Sequence, residues 1–187
     1  MKALGINGSP RINGNTARLI GKVLEGCSSA SAETEMFHLN SMDIAGCQAC
    51  MYCRTNDGCA TKDDMGKLYA AIKEADVIVL GSPIYIFQMS GQTKIFMDRL
   101  FALYGKGDKT YEGKKLVLAF TQGAESEDIF SDYIKHTEAA LNYIGFDVRN
   151  VLIAPNTGAP DDIEKATDIM DKALQTGKEI IEKGFKK

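Results

Sequence analysis

The chain has 187 residues, with 22 basic and 25 acidic side chains and a net charge of −3. This length suits one compact domain, residues 1–187, that folds without disulfides, and the charge disfavours nucleic-acid binding. No apolar run approaches the roughly 20 residues of a membrane-spanning helix, and residues 1–8 are too short for a signal peptide. We therefore expect a cytoplasmic protein that binds neither nucleic acid nor membrane.

Short apolar runs alternate with segments of helical spacing along the whole chain. The runs predict five strands, at residues 3–6, 35–39, 77–81, 116–120 and 148–154. The helical segments are residues 16–24, 65–75, 91–103, 130–144 and 163–185. This alternation predicts an α/β fold, a doubly wound five-stranded parallel sheet with helices on both faces. Such sheets bind ligands at the carboxyl ends of their strands.

The loop after the first strand, residues 8–16, combines small, hydroxyl and amide residues with one arginine. Its backbone N–H groups can approach an anion, and the start of the next helix adds partial positive charge. The side chains of Ser9, Arg11, Asn15 and Thr16 can complete a phosphate site. The loop is neither a dinucleotide fingerprint nor a Walker loop. An ordinary turn rich in helix-capping residues is the alternative.

Two further loops follow the third and fourth predicted strands. Pro83, Ile84, Tyr85 and Phe87 place flat apolar and aromatic surface at the mouth of the sheet, which suits a planar ring. Hydrophobic core beneath a loop is the alternative explanation. The segment Thr121, Gln122 and Gly123 offers amides and a hydroxyl to the edge of such a ring.

The segments Gly-Ser-Pro-Arg and Gly-Asn-Thr of the first loop, with Gly-Ser-Pro-Ile-Tyr at residues 81–85, resemble the flavodoxin-like NADPH-dependent FMN reductase family. The resemblance implies the strand order 2-1-3-4-5. It implies FMN as cofactor, with its phosphate on residues 9–16, including Asn13 and Gly14, and its isoalloxazine on Pro83, Ile84, Tyr85 and residues 121–123. It further implies an FMN-dependent oxidoreductase in which the flavin carries the chemistry, so no side chain is expected to be catalytic.

Four of the five cysteines, Cys47, Cys50, Cys53 and Cys59, lie in one loop at about residues 44–63. The first three can surround a single point only from an irregular loop, as in ferredoxin cluster sites. Their spacing resembles the iron–sulfur flavoprotein subgroup, which implies that the four thiols bind a [4Fe–4S] cluster. Structural zinc and free or redox-active thiols are the alternatives.

These features indicate electron transfer between NAD(P)H or a ferredoxin-type donor and an acceptor, through FMN and a cluster. A cluster-free NAD(P)H-dependent FMN or quinone reductase and a non-enzymatic electron carrier are the alternative functions. We also predict a homodimer or homotetramer, because residues 91–103 carry more apolar surface than one buried stripe requires. His38, His136 and Cys27 are interpreted as structural or surface residues.

Overall fold

The computed structural model describes residues 1–105 and 110–183. Its strands are β1 (Lys2–Asn7), β2 (Glu33–His38), β3 (Val77–Tyr85), β4 (Gln88–Met89), β5 (Lys115–Thr121) and β6 (Asp147–Ala154). Its α-helices are α1 (Asn15–Ser29), α2 (Tyr52–Thr55), α3 (Met65–Glu74), α4 (Gly91–Arg99), α5 (Ser131–Tyr143) and α6 (Thr167–Glu182). Short 3-10 helices occupy Leu39–Ser41, Leu100–Leu103, Glu127–Phe130 and Asp162–Lys165. None of the helices in these two ranges is long and apolar enough to cross a bilayer.

The sheet runs in the order β2-β1-β3-β5-β6, and all four of these pairings are parallel. The short strand β4 pairs only with β3 and runs antiparallel to it. The doubly wound fold and the strand order implied by the family resemblance are therefore confirmed. β4 was not predicted, because two residues give no measurable alternation of apolar and polar side chains.

The two faces of the sheet carry two separate hydrophobic cores. Along β3, Ile78 and Leu80 pack into the core that contains residues of α3, α4 and α5. Val77 and Val79 pack into the other core, which contains residues of α1 and α6. Successive side chains of a strand point to opposite faces, so an uninterrupted apolar run such as β3 is buried on both sides.

Helices α1 and α6 pack against each other on one face of the sheet. At Gly26 and Gly177 their backbones are in direct contact, with no side chain between them. A Cβ atom on Gly177 would lie 2.0 Å from the carbonyl oxygen of Val23, and one on Gly26 would lie 2.1 Å from that of Leu174. Both distances are shorter than any real contact. Glycine is therefore required at Gly26 and Gly177, because the two backbones touch there.

Two predicted helices are interrupted in the structure. The segment 91–103 is α-helical only to Arg99 and continues as the 3-10 helix Leu100–Leu103. The segment 163–185 divides into the 3-10 helix Asp162–Lys165 and α6, because Ala166 between them has a non-helical backbone, φ −91° and ψ 60°. Phe185 lies outside the described residues. A one-turn change of helix type preserves the apolar spacing, so the sequence pattern does not reveal it.

The apolar side chains of residues 91–104 are mostly buried or half-buried against other parts of this chain. Phe96, Leu100 and Leu103 are buried, and only Phe101 is more than a third exposed, at 39%. The surface on which the oligomer prediction rested is therefore smaller than the sequence indicated. A homodimer or homotetramer stays a prediction.

Candidate functional site

A cleft of about 220 Å³ opens at the carboxyl ends of β1, β3, β5 and β6. It is lined by Ser9, Arg11, Asn15, Thr16, Pro83, Ile84, Tyr85, Thr121, Gln122, Gly123, Thr157 and Gly158. All but the last two were predicted as cofactor-binding residues. Asn13, Gly14 and Phe87 were also predicted but lie outside this lining. Thr157 and Gly158 follow the last strand closely. The rule that ligands bind at the carboxyl ends of parallel strands, which identified the other three loops, therefore also points to these two residues.

The first loop turns tightly toward the start of α1. The side chain of Asn7 accepts a hydrogen bond from the Ser9 N–H at 3.0 Å, and Ser9 Oγ accepts one from the Arg11 N–H at 3.1 Å. Gly14 is the residue before the first helical residue, and no described side chain caps the helix there. The uncapped first turn, with its partial positive charge, can receive an anion.

Asn15 and Thr16 hold the loops of the cleft together. Asn15 Nδ2 donates to the carbonyl oxygens of Thr157 at 3.0 Å and Ala159 at 2.8 Å, and Oδ1 accepts from the Ile163 N–H at 3.3 Å. Thr16 Oγ1 lies 2.7 Å from Thr121 Oγ1. The side-chain amide of Asn15 is thus engaged by the protein, so it positions the loop after β6 instead of offering its amide to a ligand.

Gln122 lines the cleft and contains a buried polar atom without a partner among the described residues. Its side chain is 2% exposed, and Nε2 donates to the Ser126 carbonyl at 2.7 Å. Oε1 is buried and has no hydrogen-bond donor among the described residues. Leaving a buried acceptor unpaired costs about 1–3 kcal/mol. FMN fits this arrangement, since its ring edge carries an N–H group for Gln122 and its phosphate suits Arg11 and the start of α1.

A strained hairpin forms one wall of the cleft. β3 and β4 are joined by the two residues Ile86 and Phe87, with φ of +44° and +66°. Two-residue turns with both φ values positive normally contain Asn and Gly, and each such apolar residue costs about 1–3 kcal/mol. Ile86 is 93% exposed and Phe87 70% exposed, and the Phe87 ring meets Phe130 edge to face at 5.3 Å. The turn therefore presents apolar surface next to Tyr85.

Hydrogen bonds fix the base of this hairpin to the first loop. Ser90 Oγ donates to the Gly8 carbonyl at 2.6 Å and accepts from the Thr93 N–H at 3.2 Å. Ser82 Oγ accepts from the Ser90 N–H at 3.0 Å. A Cβ atom on Gly8 would lie 1.8 Å from Thr93 Oγ1, so only glycine allows α4 to start this close to the loop.

The four clustered cysteines line a second, smaller cavity of about 20 Å³. Cys47 and Cys50 are exposed, Cys53 and Cys59 are half-buried, and all four are free thiols. Arg99, Phe101 and other residues at the end of α4 form its opposite side. Within the part of the chain that the structure describes, no three Cys, His, Asp or Glu side chains are grouped closely enough to hold a metal ion.

A buried ion pair closes the base of the cysteine loop. Arg99 is 1% exposed; its Nη1 donates to Asp63 Oδ2 and to the Ala45 carbonyl, each at 2.6 Å, and Nη2 donates to Asp63 Oδ1 at 3.0 Å. Burial by itself raises the pKa of Asp63, but hydrogen bonds from Arg99 and from the Ala45 N–H outweigh it and hold that pKa below its usual value. The pair ties both ends of the loop to α4. Sequence reasoning missed Arg99, because α4 also carries the charged residues Lys94 and Asp98 and nothing in the pattern marks Arg99 as the buried one.

Two guanidinium groups beside the cysteine cavity have donors without partners. Among the described residues, the buried side-chain polar atoms without a hydrogen-bond partner are Arg54 Nε, Arg99 Nε and Gln122 Oε1. Arg99 lines the cavity, and Arg54 Nη2 lies 3.7 Å from Cys53 Sγ. Four thiols beside two guanidinium groups suit an anionic group ligated by sulfur. The donor set therefore fits a [4Fe–4S] cluster.

The other predicted residues lie away from both cavities. His38 Nδ1 accepts from Asn7 Nδ2 at 3.0 Å, and His136 is exposed on α5. Cys27 is fully buried in α1, and burial raises the pKa of its thiol to about 11. A larger cavity of about 470 Å³ lies between the β6–α6 connection and Glu127. It contains none of the predicted site residues and none of the unpaired polar atoms named above.

Comparison with known proteins gives consistent matches. The sequence pattern of the NADPH-dependent FMN reductase family matches residues 1–132. An iron–sulfur flavoprotein of Archaeoglobus fulgidus is 31% identical over 182 residues, which cover 94% of this chain and 80% of that protein. Another, from Methanocaldococcus jannaschii, is 39% identical over 99 residues, which cover 53% of this chain and 51% of that protein. A solved flavone reductase superposes with a TM-score of 0.78 at 19% identity, over 100% of this chain and 64% of its own.

Proposed function

This chain belongs to the NADPH-dependent FMN reductase family, as a flavin-dependent oxidoreductase of the iron–sulfur flavoprotein subgroup, and from that premise we propose that it passes electrons through FMN and a [4Fe–4S] cluster. The observation that carries the proposal is the placement of unpaired polar atoms. Among the described residues, Gln122 lines the cleft and its Oε1 has no partner, and the unpaired Arg54 Nε and Arg99 Nε belong to side chains beside the four thiols. Each candidate site thus lacks partners that a bound cofactor would supply.

In the cleft, Arg11 and the uncapped first turn of α1 receive the FMN phosphate. Gln122 Oε1 would accept a hydrogen bond from the N–H at the ring edge, and Pro83, Ile84 and Tyr85, which line the cleft, would form an apolar wall beside the ring. FMN, when bound, takes up electrons either as a hydride or singly. The protein binds and orients the flavin and needs no nucleophilic side chain.

In the cysteine loop, Cys47, Cys50, Cys53 and Cys59 would hold the cluster as thiolates, and a bound cluster would supply one-electron transfer. The Arg99–Asp63 pair keeps the ends of this loop together. We take reduced nicotinamide as the electron donor, which the family description supports. A ferredoxin-type protein is the alternative donor.

One observation favours a second candidate function, a cluster-free NAD(P)H-dependent FMN or quinone reductase. Within residues 1–105 and 110–183, no three Cys, His, Asp or Glu side chains lie close enough together to hold a metal ion. In that case the four cysteines remain free thiols. The iron content of the protein separates the two functions.

The substitution Cys53→Ser tests the proposal. Serine is a poor ligand for iron, so the variant should lose iron and sulfide and keep FMN, because the cleft contains no cysteine. Oxidation of NAD(P)H by a two-electron acceptor should persist. Delivery to a one-electron acceptor should fall to the level of iron-free wild-type protein. Steady-state kinetics with both acceptors, together with iron and FMN analysis, measure these effects.

Cys27→Ala is the matched control, since it removes the fifth thiol, which is buried in α1, and should leave the iron content unchanged. A wild-type protein that takes up no iron after anaerobic reconstitution would establish the cluster-free reductase instead. Loss of both iron and FMN from Cys53→Ser would show that the two sites depend on each other.

A further inference from the structure

Arg54 lies directly after Cys53 in the short helix α2, and its guanidinium is held on several sides. The group lies 4.0 Å from the centroid of the Phe101 ring, over its face. Nη2 donates to the Phe101 carbonyl and lies 3.7 Å from Cys53 Sγ. A Cβ atom on Gly105 would lie 3.2 Å from Nη1. The guanidinium is thus fixed beside a candidate cluster ligand, with its position set by the end of α4.

No carboxylate among residues 1–105 and 110–183 neutralises the charge of Arg54. Among the described residues its partners are a carbonyl, an aromatic ring and a thiol, and no carboxylate forms an ion pair with it. Its Nε is buried and has no acceptor there. Arg99 differs, because its charge is paired with Asp63. Within the part of the chain that the structure describes, Arg99 is thus paired with a carboxylate and Arg54 is not, so the positive charge of Arg54 is available to the thiols.

A cluster held by four thiolates becomes more negative when it gains an electron. A fixed positive charge close to a ligand sulfur therefore stabilises the reduced form more than the oxidised form. Hydrogen bonds to the sulfurs act in the same direction, and both are recognised means of setting cluster potentials.

We propose that Arg54 raises the reduction potential of the cluster by holding its positively charged guanidinium, which has no carboxylate partner among the described residues, against the Cys53 sulfur. The inference rests on the proposed function, since it requires the cluster to be present. Arg54 is a tuning residue and takes no part in ligation. Its ring contact with Phe101 and its hydrogen bond to the Phe101 carbonyl fix its distance from the sulfur.

The test compares cluster potentials in the anaerobically reconstituted full chain. Arg54→Gln removes the charge, and Arg54→Lys keeps a charge but loses the planar group that stacks on Phe101. At a fixed applied potential, the ratio of reduced to oxidised cluster should fall about tenfold in Arg54→Gln, equivalent to about 59 mV for one electron. It should fall about threefold in Arg54→Lys. Spectroelectrochemical titration, with iron analysis of each sample, gives these ratios.

Arg149→Gln is the control. Arg149 is an exposed residue of β6 that pairs with Asp147. β6 forms the opposite edge of the sheet from β2, the strand that precedes the cysteine loop. The cluster potential of this variant should equal that of the wild type. Iron-free wild-type protein would overturn the proposed cluster and the role of Arg54 together. A loaded wild-type protein whose potential is unchanged in both Arg54 variants would overturn the role of Arg54 alone. If Arg54→Gln takes up no iron, the cluster potential of Arg54→Lys is the test. A lower potential than in the wild type supports the role of Arg54, and an unchanged potential overturns it.

Discussion

Asn15 and Gln122 both border the cleft, but their amide groups are used differently. The side chain of Asn15 donates two hydrogen bonds and accepts one, all within the chain. Gln122 donates through Nε2, and its Oε1 has no partner among the described residues. Both were predicted as cofactor-binding residues, because the sequence shows residue type but not hydrogen-bond partners. The structure separates a residue that positions a loop from one that can receive a ligand.

Arg11 is the residue of the cleft that best tests phosphate binding. Arg11→Ala removes a charge-assisted contact worth about 1.5–3 kcal/mol, so FMN should bind about 10- to 100-fold more weakly. The fold should not change, because Arg11 is exposed and its hydrogen bond to Ser9 uses the backbone N–H. Titration of the apoprotein by flavin fluorescence measures the affinity.

Arg149→Ala removes an exposed arginine of β6 that is absent from the cleft lining, and FMN affinity should stay at the wild-type value. An unchanged affinity in Arg11→Ala would mean that this guanidinium does not face the phosphate.

At the scale of elements, Gly177 and Gly66 are two helical glycines in opposite surroundings. A Cβ atom on Gly177 would meet the Val23 carbonyl at 2.0 Å, whereas one on Gly66 in α3 would meet nothing within 4 Å. Alanine gains about 1 kcal/mol of helix propensity at either position. At Gly177 the forced separation of α1 from α6 should outweigh that gain and destabilise the fold by about 1–3 kcal/mol. Gly66→Ala should stabilise it by up to about 1 kcal/mol.

Urea unfolding of the two apoprotein variants measures both effects. Equal stability of Gly177→Ala and Gly66→Ala would show that the α1 and α6 backbones do not touch at Gly177. The comparison is matched, because both variants add one methyl group to an α-helix.

The elements that the sequence predicts well are those buried on a whole face. The apolar runs of β3 and β5 and the spacing in α1 and α5 report such burial directly. The β3–β4 hairpin was missed because Ile86 and Phe87 are residues that such turns normally avoid. The Arg99–Asp63 pair was missed because its residues are 36 positions apart. A local sequence pattern does not show which distant residues come into contact.

At the scale of the whole molecule, α4 links the two candidate cofactor sites. Its cap residue Ser90 bonds to Gly8 in the first loop, and its last residue Arg99 lines the cysteine cavity. A nine-residue α-helix rises about 13 Å. No described residue lines both cavities, so each site can lose its cofactor without the other being dismantled.

The cofactor content of the wild-type chain shows whether FMN and a [4Fe–4S] cluster are bound together. After anaerobic reconstitution with FMN, iron and sulfide, the purified protein should contain about one FMN, four iron ions and four acid-labile sulfides per chain. FMN bound without iron and sulfide would contradict the cluster and leave a simple flavin reductase. Iron and sulfide bound without FMN would contradict the assignment of the cleft.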